Sequence, residues 1–418
     1  MKTPDYQFWK QLDQSAIKKR VFDALEENIS YADTGSLGIP ASTLDAKVFS
    51  QDESFIKDAP FISTLVQNPN HIGCHTIGKS ESYFAGTQAI ERELIEICAV
   101  DILGGEPGMQ DGYVASGGTE ANMQAIWIYR NYYLQSEGVS RNQIAIVCSE
   151  DRHYSMDKAA DILALSLYTA DVEMDNRKMS EMALRKCINR AVSEGKTHFI
   201  MVCNMMCTMF GSVDDVEACV RVFREKKLAF KLHVDGAFGG FFYPFTDNSS
   251  AMSFRHQDIS SFTLDAHKMA QAPYGTGIFL IRKGMMKYAT TQAASYVEGE
   301  DSTIIGSRSG ANAIAVWMVL SKHGPYGWHE KILVLQKRTD WIEEQLKGLH
   351  IAYFRQAGSN IIAIKAEHLS NTVAKEFGLV PDDHHTPRWY KIVVMEHVTI
   401  ERVLPLIERL SSMMLDHL

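Results

Sequence analysis

Thr263-Leu-Asp265-Ala-His267-Lys268-Met269 sets a lysine just past an apolar run and ahead of the turn-like Ala272-Pro273-Tyr274-Gly275. A lysine whose surroundings lower its pKa can form an imine with an aldehyde. Upstream, His233-Val-Asp235-Gly-Ala237-Phe-Gly239-Gly240 ends a second apolar run in a carboxylate, at the place where open α/β sheets bind ligands. Further upstream, Tyr113-Val-Ala-Ser116-Gly117-Gly118-Thr119-Glu120-Ala-Asn122 opens an amphipathic stretch with two glycines and a threonine. Glycine lets the backbone close on an anion, and the free N–H groups of a helix N-terminus favour phosphate. Read singly, each has an ordinary alternative: a surface lysine, a cap for the next segment, a structural turn before a helix. Together they are the set that pyridoxal phosphate needs. The lysine takes the aldehyde, the acid keeps the ring nitrogen protonated so that the ring accepts electrons from a bond breaking at a substrate α-carbon, and the cup takes the phosphate.

Positioning them calls for a sheet. Short apolar runs at 144–149, 198–203, 229–235, 259–265 and 277–281 have the length and β-branched content of buried strands. Helical stretches lie between several of them: 119–133 repeats apolar or small residues at Ala121, Ala125, Ile128 and Tyr132, and 214–227 runs from Asp214-Asp215 to Lys226-Lys227, matching the helix dipole. Alternating strand and helix predicts an α/β fold with a mostly parallel central sheet. After it come a long helical stretch at about 311–347, the runs 361–366 and 391–395, and a last helix from about Thr399, which together predict a smaller C-terminal α+β domain. The expected division is a helical N-terminal arm over 1–60, a large domain over 61–295 and a small domain over 296–418.

With His153-Tyr-Ser-x-x-Lys-Ala159 added, the ordered motifs SGGTEAN, HYSxxKA, HVDGAFGG and DAHK resemble those of the group II pyridoxal-phosphate-dependent amino-acid decarboxylases, fold-type-I enzymes, from about residue 60 to the C-terminus. The nearest branches are the bacterial histidine decarboxylases and the archaeal tyrosine/aspartate decarboxylases. The resemblance implies that Lys268 bonds the cofactor aldehyde, Asp235 pairs with the ring nitrogen, Ala237 packs on one ring face and His153 stacks on the other. It implies that Thr208 meets the cofactor's phenolic oxygen and that Gly118, Thr119, His267 and, more weakly, Ser116 contact the phosphate. The loop ending in Gly306-Ser307-Arg308 implies a homodimer in which Ser307 reaches the neighbouring subunit's phosphate; a turn leading into the helix at 311 is the ordinary alternative. Tyr296 matches a loop tyrosine that returns a proton to the α-carbon, with a packing role as its alternative. The implied reaction is α-decarboxylation of an L-amino acid to a primary amine.

The chain departs from the pattern where archaeal relatives carry an arginine before the last strand: here it is Lys391, with Arg388 three positions earlier. Arginine binds a carboxylate bidentately and lysine does not. Arg388 and His75 are the substrate-binding candidates, His75 equally readable as a loop or core histidine. Arg308 and Lys79 would suit an acidic side chain, Tyr83 and Phe84 an apolar one. Three other readings compete. An aldehyde-lyase of the sphingosine-phosphate-lyase type would need a second phosphate site and usually a membrane anchor. An aminotransferase would need a dedicated arginine, and a catalytically silent relative would not need the intact lysine, acid and cup.

Composition narrows the class. The 418 residues are 45% hydrophobic and 22% charged, which excludes a disordered chain, and 28 glycines without a period exclude collagen. With 42 Lys+Arg against 51 Asp+Glu and no basic block, a nucleic-acid partner is not expected. Neither a signal-peptide core nor a membrane-length apolar run is found in the sequence, and the 7 cysteines are an odd number set mostly in apolar runs. A cytoplasmic protein with reduced thiols, no membrane partner and no metal site is expected.

Overall fold

The computed structural model describes residues 6–29, 54–73, 81–246, 251–290 and 300–415. Seven strands form the central sheet: β1 (Gln110–Ala115), β2 (Ile144–Ser149), β3 (Ser166–Ala170), β4 (His198–Asn204), β5 (Ala229–Gly236), β6 (Ile259–Asp265) and β7 (Gly277–Arg282). Their order across the sheet is β1-β7-β6-β5-β4-β2-β3. Every pairing from β6 to β3 is parallel. β7 runs antiparallel to both β6 and β1, so it alone is reversed. All five expected strands form, and β1 and β3 join them. Every residue of β2 is buried, as a strand covered on both faces must be, which is why these segments read as unbroken apolar runs.

The helices that bear on the site are α1 (Gln14–Glu27), α2 (Ala85–Glu96), α3 (Gly118–Ser136), α4 (Ser155–Ile162), α5 (Val216–Glu225), α6 (Gly310–Gly348) and α7 (Ile400–Leu415). Asp215 caps α5, accepting from the Ala218 N–H at 3.0 Å. Asp214, the other acid of that pair, turns inward and accepts from the Asn204 N–H at 2.7 Å, tying down the end of β4. Burial pushes its carboxyl up to about 6.

The long stretch that reads as one helix is interrupted in α6. Gly324 has φ +61°, and Pro325 follows it. The left-handed backbone and the missing proline N–H free the carbonyls one turn back. The N-terminal arm takes them: Trp9 Nε1 donates to the Leu320 carbonyl at 2.7 Å, and the Leu12 N–H to the Ser321 carbonyl at 2.8 Å. A Cβ on Gly324 would lie 2.5 Å from the Gln11 Cβ, so only glycine allows this approach. From there Trp9, Ile17, Val21 and Ala24 enter the main core.

Beyond α6, a four-stranded antiparallel sheet, β8 (Tyr353–Phe354), β9 (Ile361–Lys365), β10 (Val380–Pro381) and β11 (Trp389–Val393), is ordered β8-β9-β11-β10. It shares its own apolar core with Val403, Leu406, Ile407 and Leu410 of α7. A two-stranded ladder pairs Asn70–Ile72 with Ser307–Ser309. No helix among the described residues is long and apolar enough to cross a membrane.

Candidate active site

Parallel strands deliver their carboxyl ends to one edge of the sheet, so Asp235, near the end of β5, and Asp265, closing β6, emerge there on neighbouring strands. A cleft of about 270 Å³, counting its open mouth, is lined by His153, Asn204, Met206, Cys207, Thr208, Asp235, Ala237, Phe238 and Lys268. Five candidates read from four separate stretches of sequence, His153, Thr208, Asp235, Ala237 and Lys268, thus share one cleft. Gly118, at the first turn of α3, adjoins it: a Cβ there would sit 3.1 Å from that of Ala237 and 2.8 Å from Asp265 Oδ2.

The floor is a buried hydrogen-bond chain. The Tyr129 hydroxyl donates to Ser261 Oγ, which donates to His233 Nδ1 at 2.7 Å. His233 Nε2 donates to Asn122 Oδ1 at 2.9 Å, and Asn122 Nδ2 donates to Asp235 Oδ2 at 2.8 Å and to Ser155 Oγ at 2.9 Å. Ser155 in turn donates to His153 Nδ1 at 2.9 Å. One asparagine therefore aims both the carboxylate and the imidazole of the cleft. The second oxygen of Asp235 accepts from the Ala237 N–H at 3.1 Å. Burial holds His233 down at about 4, so it stays neutral, as its acceptor role at Nδ1 requires. Burial also lowers His153, which favours a neutral ring.

The other side of the site is unfinished. Lys268 Nζ lies 3.3 Å from Asp265 Oδ2, and His267 Nδ1 lies 3.7 Å from Asp265 Oδ1. Asp265 Oδ1 and His267 Nδ1 are both buried without a hydrogen-bond partner among the described residues. Orphaned polar atoms beside a glycine-opened helix N-terminus mark a place for a polar ligand. Thr119 is half-buried, and Ser116 is exposed with its N–H donating to Glu120 Oε2 at 2.7 Å. A lysine at the mouth, a carboxylate held by two donors at the floor and this cup fit pyridoxal phosphate.

Other candidates lie elsewhere. The Arg388 side chain is 79% exposed, bonds Asp382 Oδ2 at 3.2 Å and is not among the residues that line the cleft. Lys391, on β11, is the small-sheet cation that reaches the site's edge, donating to the Thr208 carbonyl at 2.7 Å. Arg308 is buried against Glu91 of α2 at 2.5 Å and donates to the Gly73 carbonyl at 2.7 Å. Ser307 is exposed and is not among the residues lining the cleft. His75, Lys79 and Tyr296 lie outside the described residues.

The family model described as the pyridoxal-dependent decarboxylase conserved domain matches residues 87–352, more than half of the chain. This chain belongs to the pyridoxal-dependent decarboxylases. The decarboxylase is 44% identical over 412 residues to the tryptophan decarboxylase of Clostridium sporogenes, covering 98% of this chain and 99% of that protein. It is 31% identical over 327 residues to the L-aspartate decarboxylase of Thermococcus kodakarensis, covering 76% and 80%. Among solved structures it is similar to an L-methionine decarboxylase from Streptomyces sp.590, with a TM-score of 0.70, 20% identity and coverage of 95% and 94%. It is also similar to a sphingosine-1-phosphate lyase of Burkholderia pseudomallei, with a TM-score of 0.68, 18% identity and coverage of 80% and 78%. These last two likenesses establish the fold-type-I architecture. The decarboxylase is a pyridoxal-phosphate-dependent carboxy-lyase acting on amino acids.

Sequence reading of this decarboxylase gave no role to Asn122, Ser155, His233 or Asp265. Periodicity contains the signal for two of them. Asn122 stands one helical turn past Gly118, and His233 lies two residues before Asp235 on the same strand face.

Proposed function

We propose that this decarboxylase acts on an aromatic L-amino acid, with tryptophan the first candidate. The observation that carries the reading is the cleft wall: Met206, Cys207 and Phe238 are apolar or soft, and Lys268 is the only cation among the described residues that line it. An acidic side chain would need a second cation there, and Arg308 is engaged by Glu91. The 44% identity to a tryptophan decarboxylase along the whole chain supports the same class.

In this reading Lys268 would bond the cofactor's aldehyde, Asp235 would pair with its ring nitrogen, and Ala237 and His153 would flank the ring. Gly118, Thr119 and His267, with Ser116 at the edge, receive the phosphate, and Thr208 the phenolic oxygen. When bound, pyridoxal phosphate supplies an electron-accepting ring linked to the substrate's α-carbon. The protein's own part is electrostatic and positional. Asn122 and the Ala237 N–H hold the Asp235 charge still, so that it favours a protonated ring nitrogen. His153, fixed through Ser155, would restrict the pose of the bound substrate. Lys391 is better placed than Arg388 to meet the carboxylate before it leaves. His153 Nε2 and Tyr296 are the candidates to hold the proton that returns to the α-carbon. The active form is a homodimer receiving Ser307 from the partner copy, which the exposure of Ser307 in a single chain supports. The division into 1–60, 61–295 and 296–418 belongs to the same reading, as does a cytoplasmic setting, supported by the six cysteines among the described residues, all buried and outside any disulfide.

The test is carbon dioxide release from the cofactor-loaded protein offered L-tryptophan, L-tyrosine, L-phenylalanine, L-histidine, L-aspartate and L-glutamate in turn. An aromatic substrate should lead, and Lys268→Ala should lose both the release and the ~420 nm absorption usual for lysine-bound cofactor. A preference for aspartate or glutamate would overturn the substrate reading.

A further inference from the structure

Asp265 is a carboxylate where an anion has to dock. It is 3% exposed at the end of β6. Its Oδ2 lies 2.8 Å from where a Cβ on Gly118 would be, which sets the carboxylate against the N-terminus of α3, the place meant for phosphate. Its Oδ1 has no hydrogen-bond partner among the described residues. The charged and titratable groups that face it are few. Lys268 and His267 come from its own turn, at 3.3 and 3.7 Å, Asp235 from β5, and His153 from the loop before α4.

Cofactor loading acts on Asp265 through charge. The phosphate brings negative charge to the cup, where like charges in a dry site repel strongly. We propose that Asp265 takes up a proton when the cofactor docks and binds the phosphate as a neutral acid, donating its O–H to a phosphate oxygen. The proton comes from solvent, delivered by buffer acid. The bond between that proton and the buffer base breaks, the carboxyl O–H bond forms, and no electrons change hands. Burial already raises the Asp265 carboxyl above its ordinary range, against the pull of Lys268 and His267. The proposal rests on the cofactor site and is independent of the substrate reading.

The experiment is calorimetric titration of the cofactor-stripped protein with 4-deoxypyridoxine 5′-phosphate, which has the ring and phosphate but cannot bond Lys268. It is run at pH 7.5 in phosphate-free buffers of different ionisation enthalpy, so that the protons taken up on binding are counted. The wild type should take up about one proton more than Asp265→Asn, and its affinity should fall more steeply between pH 7 and 9. Equal uptake by the two proteins would overturn the proposal. Should Asp265→Asn fail to fold, the wild type alone decides: affinities measured across the same pH range should fall more steeply for the phosphorylated probe than for 4-deoxypyridoxine, and parallel slopes would sink it. A wild type that binds neither probe would remove the cofactor site, and the proposal with it.

Discussion

Asp235 and Asp265 stand near the ends of adjacent strands, and the protein treats them in opposite ways. Asp235 receives Asn122 Nδ2 on one oxygen and the Ala237 N–H on the other, behind a chain of donors that reaches back to Tyr129. Asp265 has Lys268 at 3.3 Å on one oxygen and, among the described residues, no partner on the other. A charge meant to persist through every step is built in with fixed dipoles, whereas a group that changes state with the ligand is left incomplete until the ligand arrives.

Removing the charge at the finished site should have the largest effect. Asp235→Asn keeps the shape and one acceptor, yet turnover should drop ~10²–10³-fold, the size usual for losing one preorganised electrostatic partner. Steady-state rates on a protein with an unchanged circular-dichroism spectrum check this. A loss under tenfold would mean that the ring nitrogen is not where Asp235 acts.

The chain behind Asp235 has a pH signature of its own. His233 falls from its ordinary 6.5 to about 4 in the folded protein. The unfolded chain therefore binds the proton more readily, and stability, complete above about 6.5, is lost as the pH drops toward 4. The difference amounts to on the order of 3 kcal/mol. Urea unfolding at several pH values should show a shallower dependence in His233→Gln than in the wild type, with the Asp214 contribution common to both. Identical slopes would show that His233 is not held neutral.

The smallest change lies far from both carboxylates. Gly324→Ala places a methyl against Gln11 at a positive φ and should cost about 1–3 kcal/mol of stability, leaving the affinity for pyridoxal phosphate unchanged. Weakened cofactor binding in this variant would show that the arm and the site are coupled.

The sheet was legible because its strands are buried on both faces, and an unbroken apolar run is a local signal. β1 escaped notice because Gln110-Asp111-Gly112 dilutes its apolar content, and the reversal of β7 has no local signature, since strand direction depends on the connection. Of the site, Lys268, Asp235, His153, Ala237 and Thr208 could be read from motifs and do share a cleft. Arg388 could not be placed by reading: its contact with Asp382 follows from the turn that leads into β11 and from the pairing of β11 with β9. The break in α6 was written as Gly324-Pro325, but what occupies it, Trp9 and Leu12, lies more than three hundred residues away in the chain.

By itself, then, the sequence determined the chemistry on offer: an amine, an acid, an imidazole and a glycine-opened helix start, because residue type and short spacing are local properties. Tertiary structure decided which of these groups are satisfied and which are left waiting. Asn122 meets Asp235, and Asp265 meets Gly118 but no donor for its second oxygen, only because α3 crosses the ends of β5 and β6 in one register. A hydrogen bond depends on tenths of an ångström between atoms that the chain brings together from far apart, and no local pattern carries that distance.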